Sequence, residues 1–189
     1  MKKNRKAFFF GVMICSAMML VSGCGYFNIS QQERLTPIED PSASELVKEE
    51  VFQFDYSLLE IDDEELLFLF DRFKQTREVE MLGNIEPFEM FQLYMYTQAG
   101  EDYETLYYFY PEGSLNVSKE QFIEEGRNEV TTQNNREFMK RFNEVREVII
   151  RTNDESAQIH FTLEEERRDF TFQLNRIGES WFVVPVPLQ

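Results

Sequence analysis

The chain has one histidine, His160, in 189 residues. Imidazole is the usual proton acceptor near neutrality, so His160 is the first place to look for acid–base chemistry. It alternates with Ile159 and Phe161 and shares its side with Gln158 and Thr162. That spacing assigns it to the polar face of a strand, as a surface histidine rather than a buried base. Tyr94, Tyr96, Tyr107 and Tyr108 could donate phenolic protons into a pocket, but beside Phe and Leu at helical spacing they read as core or interface residues. Carboxylates come in runs, at Asp62–Glu65, at Glu120, Glu124 and Glu125, and at Glu164–Glu166. None of these runs has the spacing and glycine turn of a calcium loop, so they read as helix starts and solvated faces. The chain contains no glycine-rich phosphate loop, no Gly-x-Ser-x-Gly and no His-Glu-x-x-His. No metal and no cofactor is expected.

The two cysteines, Cys15 and Cys24, sit near the amino terminus. Lys2, Lys3, Arg5 and Lys6 precede an uncharged run from Ala7 to Leu20, which closes on Val21-Ser22-Gly23-Cys24. A basic start, a short apolar stretch and small residues at its end describe an export signal. The stretch is shorter than the roughly twenty residues a spanning helix needs. An aliphatic residue, two small residues and a cysteine at the end of such a signal resemble the lipobox of bacterial lipoproteins. The resemblance implies a diacylglyceryl group on the Cys24 thiol and cleavage between Gly23 and Cys24. Two or more acyl chains suffice for stable attachment to a membrane, whereas one is marginal. Cys15 would leave with the signal, so the remaining domain would carry no internal disulfide, no cysteine zinc site and no cysteine nucleophile.

Without residues 1–23, 166 residues remain (189 less 23), enough for one domain and a tether. Loss of the four leading cations takes the net charge from −16 to about −20. Such a surface is soluble and repels anionic lipid and nucleic acid, so no nucleic-acid partner is expected. With 19 Phe and 8 Tyr the chain has ample apolar mass for a packed core.

The elements that would position these groups divide the chain. Residues 24–41 are the lipidated cysteine and a polar, proline-containing tether. Residues 42–85 read as a helical N-terminal extension. Ser42 and Glu45 have capping-box spacing, and Val47, Val51, Phe54 and Leu58 follow at steps of four, three and four, with a strand over Val51–Tyr56 as the alternative. Asp62 and Glu65 would start a second helix carrying Leu66, Leu69, Phe70 and Phe73. An irregular connection over residues 76–85 allows a helical turn at Val79–Leu82.

Residues 86–189 form an α+β unit. Pro87 opens a heavily buried helix with Phe88, Phe91, Tyr94 and Met95 at helical spacing, and Gly100 stops it. Short helices follow from Asp102 and from the Ser118/Gln121 capping box, while residues 128–142 fit a helix or a bent strand. From Val145 the period changes to two. Strands are expected from Val145 to Arg151, around Ala157–Leu163, around Phe170–Leu174 and from Trp181 to Val186. The charged stretch Glu164–Arg168 joins the second to the third, and Gly178-Glu179 turns into the last. The expected fold is α+β, with N-terminal helices packed on a curved antiparallel sheet of three to four C-terminal strands.

A long aromatic helix, two short helices, long strands and the Ile177-Gly178-Glu179-Ser180-Trp181 hairpin, over Glu86–Val186, resemble the nuclear transport factor 2-like (cystatin-like) fold. That resemblance implies a sheet wrapped around helices, used by pocket binders, accessory modules and small enzymes. Three functions are therefore expected in order. The first is a lipid-anchored, extracytoplasmic, non-catalytic domain with an envelope protein partner. The second is a pocket for a small apolar or amphipathic ligand lined by Phe91, Tyr94, Phe161 and Phe172. The third is an enzyme using His160 or a buried carboxylate.

Overall fold

The computed structural model describes residues 47–163 and 168–185. The signal, Cys24, the tether, the Ser42/Glu45 cap and residues 164–167 of the charged connection lie outside them. The order is β1 (Lys48–Gln53), α1 (Glu64–Thr76), a 3-10 turn (Val79–Leu82), α2 (Pro87–Ala99), α3 (Tyr103–Leu106), a second 3-10 turn (Tyr107–Phe109), α4 (Lys119–Gly126), α5 (Glu129–Phe142), and then β2 (Glu147–Thr152), β3 (Ser156–Leu163), β4 (Arg168–Ile177) and β5 (Ser180–Val183). All five strands form one antiparallel sheet in the order β1-β2-β3-β4-β5. The α+β class is as expected. The count is five strands rather than three to four, because one comes from the amino-terminal part.

That strand corrects the helix expected from Val47 to Leu58. Spacing of four, three and four occurs in the sequence, but Val51 is 56 % exposed while Phe52 stacks on Phe88 of α2 at 4.5 Å. The alternation of Glu49, Val51 and Gln53 against Phe52 and Phe54 is the period the chain uses. Pairing with β2, from Lys48↔Thr152 to Gln53↔Glu147, decides the matter. The described residues 47–85 share the core of the rest. Leu58, Leu66, Phe70, Phe73 and Leu82 are buried in the same cluster as the rest of the core.

Local signals set the helix ends. Asp63, one residue after the expected cap, accepts from the amides of Glu65 and Leu66 at 2.8 and 3.0 Å. Glu64 and Glu65 in the first turn and Lys74 in the last suit the helix dipole. Pro87 stands at the first position of α2, and Glu89 reaches back to the Glu86 amide at 2.7 Å. The Ser118/Gln121 capping box opens α4. Asn128 caps α5, which settles residues 128–142 as a helix. Among the described residues, no helix is long and apolar enough to cross a membrane.

The core lies between one face of the sheet and helices α2 and α5. Val148, Ile150, Ala157, Ile159, Phe161, Leu163, Leu174 and Val183 are buried on that face. Their neighbours of opposite parity face away, as period-two alternation requires. The last strand ends at Val183, short of the expected Val186, and Pro185 follows it.

Polar contacts clasp the end of α2 to α5. Gln98 Nε2 donates to Asn135 Oδ1, and Asn135 Nδ2 donates to the Gln98 carbonyl, each at 2.8 Å and buried. Beyond the helix stop at Gly100, Glu101 takes a left-handed φ of 56° and accepts two bonds from Arg136, at 2.5 and 3.0 Å. At the end of α4 a Cβ built on Gly126 would stand 2.4 Å from the ring of the buried Tyr103. Gly126→Ala is therefore expected to destabilise the domain by about 1–3 kcal/mol, as overpacking does. A urea midpoint unchanged from wild type would show that Tyr103 moves aside freely.

Candidate functional site

Of the residues expected at a site, Cys24 and Gly23 lie outside the described residues. The other four come together. Phe91 and Phe161 sit 5.8 Å apart between ring centroids, Phe91 and Phe172 5.1 Å, and Tyr94 and Phe172 5.0 Å. Phe91 also meets Phe142 edge-on at 5.9 Å. Phe91, Tyr94 and Phe161 are buried, and Phe172 is half-buried. The rings pack on one another as the centre of the core, in the tilted and edge-on arrangements aromatic pairs prefer.

Tyr94 adds one polar contact, its hydroxyl lying 2.8 Å from that of the half-buried Tyr110. Burial pushes the Tyr94 phenol well above its ordinary range, with the Tyr110 charge and the shared hydrogen bond acting the same way. Burial also raises Tyr110, but the bond from Tyr94 opposes that rise. Both phenols are neutral at physiological pH, so the pair can donate hydrogen bonds but is no base. Of the remaining tyrosines, Tyr107 and Tyr108 meet edge-on at 5.7 Å. Tyr96 is exposed beside Phe70, while Tyr108 accepts from Lys119 Nζ at 3.0 Å and carries Arg77 over its ring at 5.6 Å.

His160 sits on the polar face as its alternation implied, but it is half-buried there and belongs to a group the sequence reading did not assemble. Strand register lays the outer face out in rows. The middle row is Val51, Ile149, His160 and Thr171. On one side run Glu49, Arg151, Gln158 and Gln173. On the other, Gln53 pairs Glu147 and Thr162 pairs Asp169. A half-open hollow of about 560 Å³ lies over these rows, with Arg146, Glu147, Ile149, Arg151, His160 and Asp169 in its wall.

Neighbouring strands hold most of these groups in place. Arg151 Nε donates to Glu49 Oε2 at 2.7 Å, Gln53 Nε2 to Glu147 Oε2 at 3.0 Å, and Thr162 Oγ1 to Asp169 Oδ1 at 2.7 Å. Arg146 Nη1 donates to the carbonyls of Asn143 and Val145, where α5 ends, at 2.8 and 3.0 Å. His160 Nδ1 shares a hydrogen bond with Thr171 Oγ1 at 3.0 Å. His160 Nε2 is out of solvent and has no partner among the described residues.

The hollow can therefore present the guanidinium of Arg151, two carboxylates and one aliphatic side chain to a small polar ligand, with Arg146 turned onto backbone carbonyls and the imidazole of His160 in its wall. Its volume falls within the range of small-molecule sites. Among the described residues, no group of three or more His, Cys, Asp or Glu side chains is arranged to hold a metal ion. Asp63, Glu64 and Glu65 serve the start of α1, as the reading of the carboxylate runs anticipated. In comparison with family models, with curated proteins and with solved structures, the chain matches none.

Truncation separates a core ring from a pocket ring. Phe91→Ala is expected to cost about 3–5 kcal/mol in chemical denaturation, the usual loss for a buried phenylalanine. A loss under about 1 kcal/mol would mean that Phe91 borders open space. The tyrosine pair predicts an alkaline limit. Its folded pKa values lie above the unfolded value of 10.0, so the pair's contribution to stability is intact below pH 10.0 and falls as pH rises above it. In denaturation between pH 8 and 11, the double variant Tyr94→Phe, Tyr110→Phe is expected to lose stability less steeply than wild type above pH 10.0. Parallel curves would remove the pair as a cause.

Proposed function

We propose that this protein is a lipid-anchored extracytoplasmic domain whose role is to bind, as an interaction or accessory module of the cell envelope, without chemistry of its own. The observation that carries the reading is Val21-Ser22-Gly23-Cys24 at the end of a basic and then uncharged leader. The first described strand begins at Lys48, which leaves 24 residues (24 to 47) for the lipidated cysteine and a tether. A flexible linker of that length reaches on the order of 25 Å, enough to hold a domain clear of a bilayer. The acidic surface supports the same arrangement, since it is repelled by anionic headgroups while the acyl chains hold the protein nearby.

The nuclear transport factor 2-like resemblance belongs to this proposal. Helices followed by a four-strand antiparallel meander favour it, and β1 pairing with β2 is a feature the resemblance did not imply. Within that fold the accessory role is supported by the packing of Phe91, Tyr94, Phe161 and Phe172 on one another. The second reading, a pocket binder, is favoured by a different place, the hollow on the outer sheet face.

Cys24→Ala tests the anchor. The variant is expected to keep its leader and to lose incorporation of a clickable palmitate analogue. Its unfolding midpoint should match that of wild type. Palmitate incorporation equal to wild type would end the lipoprotein reading. Crosslinking in cells followed by mass spectrometry tests the binding role, and a reproducible envelope protein is the expected result.

A further inference from the structure

We infer that the hollow on the outer sheet face takes a short peptide with free ends, three or four residues long, lying extended along β2. Its ammonium group would sit toward Glu147 and Asp169, and its carboxylate toward Arg151. The inference deepens the binding role proposed above and does not depend on the anchor.

Dimensions come first. Glu147 and Arg151 are four residues apart on one strand, so their backbone positions are separated by about 13 Å at a strand's rise. An extended peptide of three or four residues covers about 10–14 Å. Charge comes second. By strand register Glu147 and Asp169 stand toward one end of the hollow, and Arg151, already paired with Glu49, toward the other. Arg146 also lines the carboxylate end, but it is turned onto the carbonyls of Asn143 and Val145. Arg151 meets Glu49 through Nε, so its two terminal nitrogens, the pair that grips a carboxylate, take no part in that bond.

The middle of the hollow fits a peptide backbone. Ile149 offers an apolar contact, and His160 Nε2 lacks a partner. Whichever nitrogen carries the proton, a peptide group supplies the complement, because it holds both a donor and an acceptor. Nε2 is turned away from solvent as the ring stands, so engagement requires the ring to turn and to exchange its Nδ1 contact with Thr171 for one with the peptide.

Selection against other ligands follows from the overall charge of −16. A simple anion is repelled, and a simple cation is attracted to the whole surface alike. A zwitterion feels little net pull, so the two charged ends of the hollow decide whether it binds.

His160 is the only histidine, so its ring signals in the NMR spectrum of the full chain in detergent micelles need no assignment variants. The probes are trialanine and tetraalanine, each with free ends, with an acetylated amino terminus, and with an amidated carboxyl terminus. The expected result is a saturable shift of the His160 ring signals by the free peptides at concentrations up to about 10 mM, and about tenfold weaker binding of either blocked form. Arg151→Gln is expected to abolish the preference for a free carboxylate, and Asp169→Asn to reduce that for a free ammonium, with both circular dichroism spectra unchanged. Should neither free peptide give a saturable shift, or should blocked and free forms bind alike, the inference is overturned. Palmitate labelling of Cys24 is unaffected by either outcome, so failure here is distinguishable from failure of the anchor.

Discussion

Burial of one face of an antiparallel sheet against two helices is the constraint on which the rest of this structure depends. Phe91, fully buried on α2, touches Phe142 of α5 and both Phe161 and Phe172 of the sheet. Because side chains alternate along a strand, fixing Phe161 and Phe172 inward fixes His160, Thr162 and Thr171 outward. A slip of one residue would carry the aromatic rings into water and the imidazole into the core. The outer face therefore owes its layout to packing on the inner one. The rows of charge beside His160 are a by-product of where the phenylalanines must be.

The end of α2 shows how such a core is given a unique arrangement. Aromatic contacts alone tolerate sliding, since each ring offers several favourable approaches. The buried amide exchange between Gln98 and Asn135 does not, because displacement would leave polar groups unpaired in a dry interior. The paired contacts of Glu101 with Arg136 lie more exposed and contribute direction more than energy.

Much of the fold was legible wherever a single local pattern decided it. The alternation Ala157, Ile159, Phe161, Leu163 predicted β3, Pro87 and Gly100 bounded α2, and Ser118 with Gln121 opened α4. Residues 47–58 misled because their apolar spacing satisfies a helix. What makes a strand of them is pairing with residues about a hundred positions away, which no local window contains. The candidate site inherited the same blindness. His160 was correctly given a polar face, but its neighbours Glu147, Ile149 and Arg151 come from β2, and Glu49 and Gln53, which hold two of them, come from β1. The rings of Phe91, Tyr94, Phe161 and Phe172, expected around a pocket, meet one another in the structure as core.

The position of β1 has a mechanical side. Any tension carried by the chain ahead of Lys48 enters the fold through this edge strand. β1 is held to the sheet by β2 alone, and a pull on its first residue directed across the strands loads the ladder one rung at a time from the Lys48↔Thr152 end. Strands loaded in this way unzip at lower force than strands sheared along their length. Peeling would free Glu49 from Arg151 and Val51 from Ile149 before it reached Phe52 on Phe88. A modest pull would thus loosen one wall of the outer face while leaving β2 to β5 and the aromatic core in place.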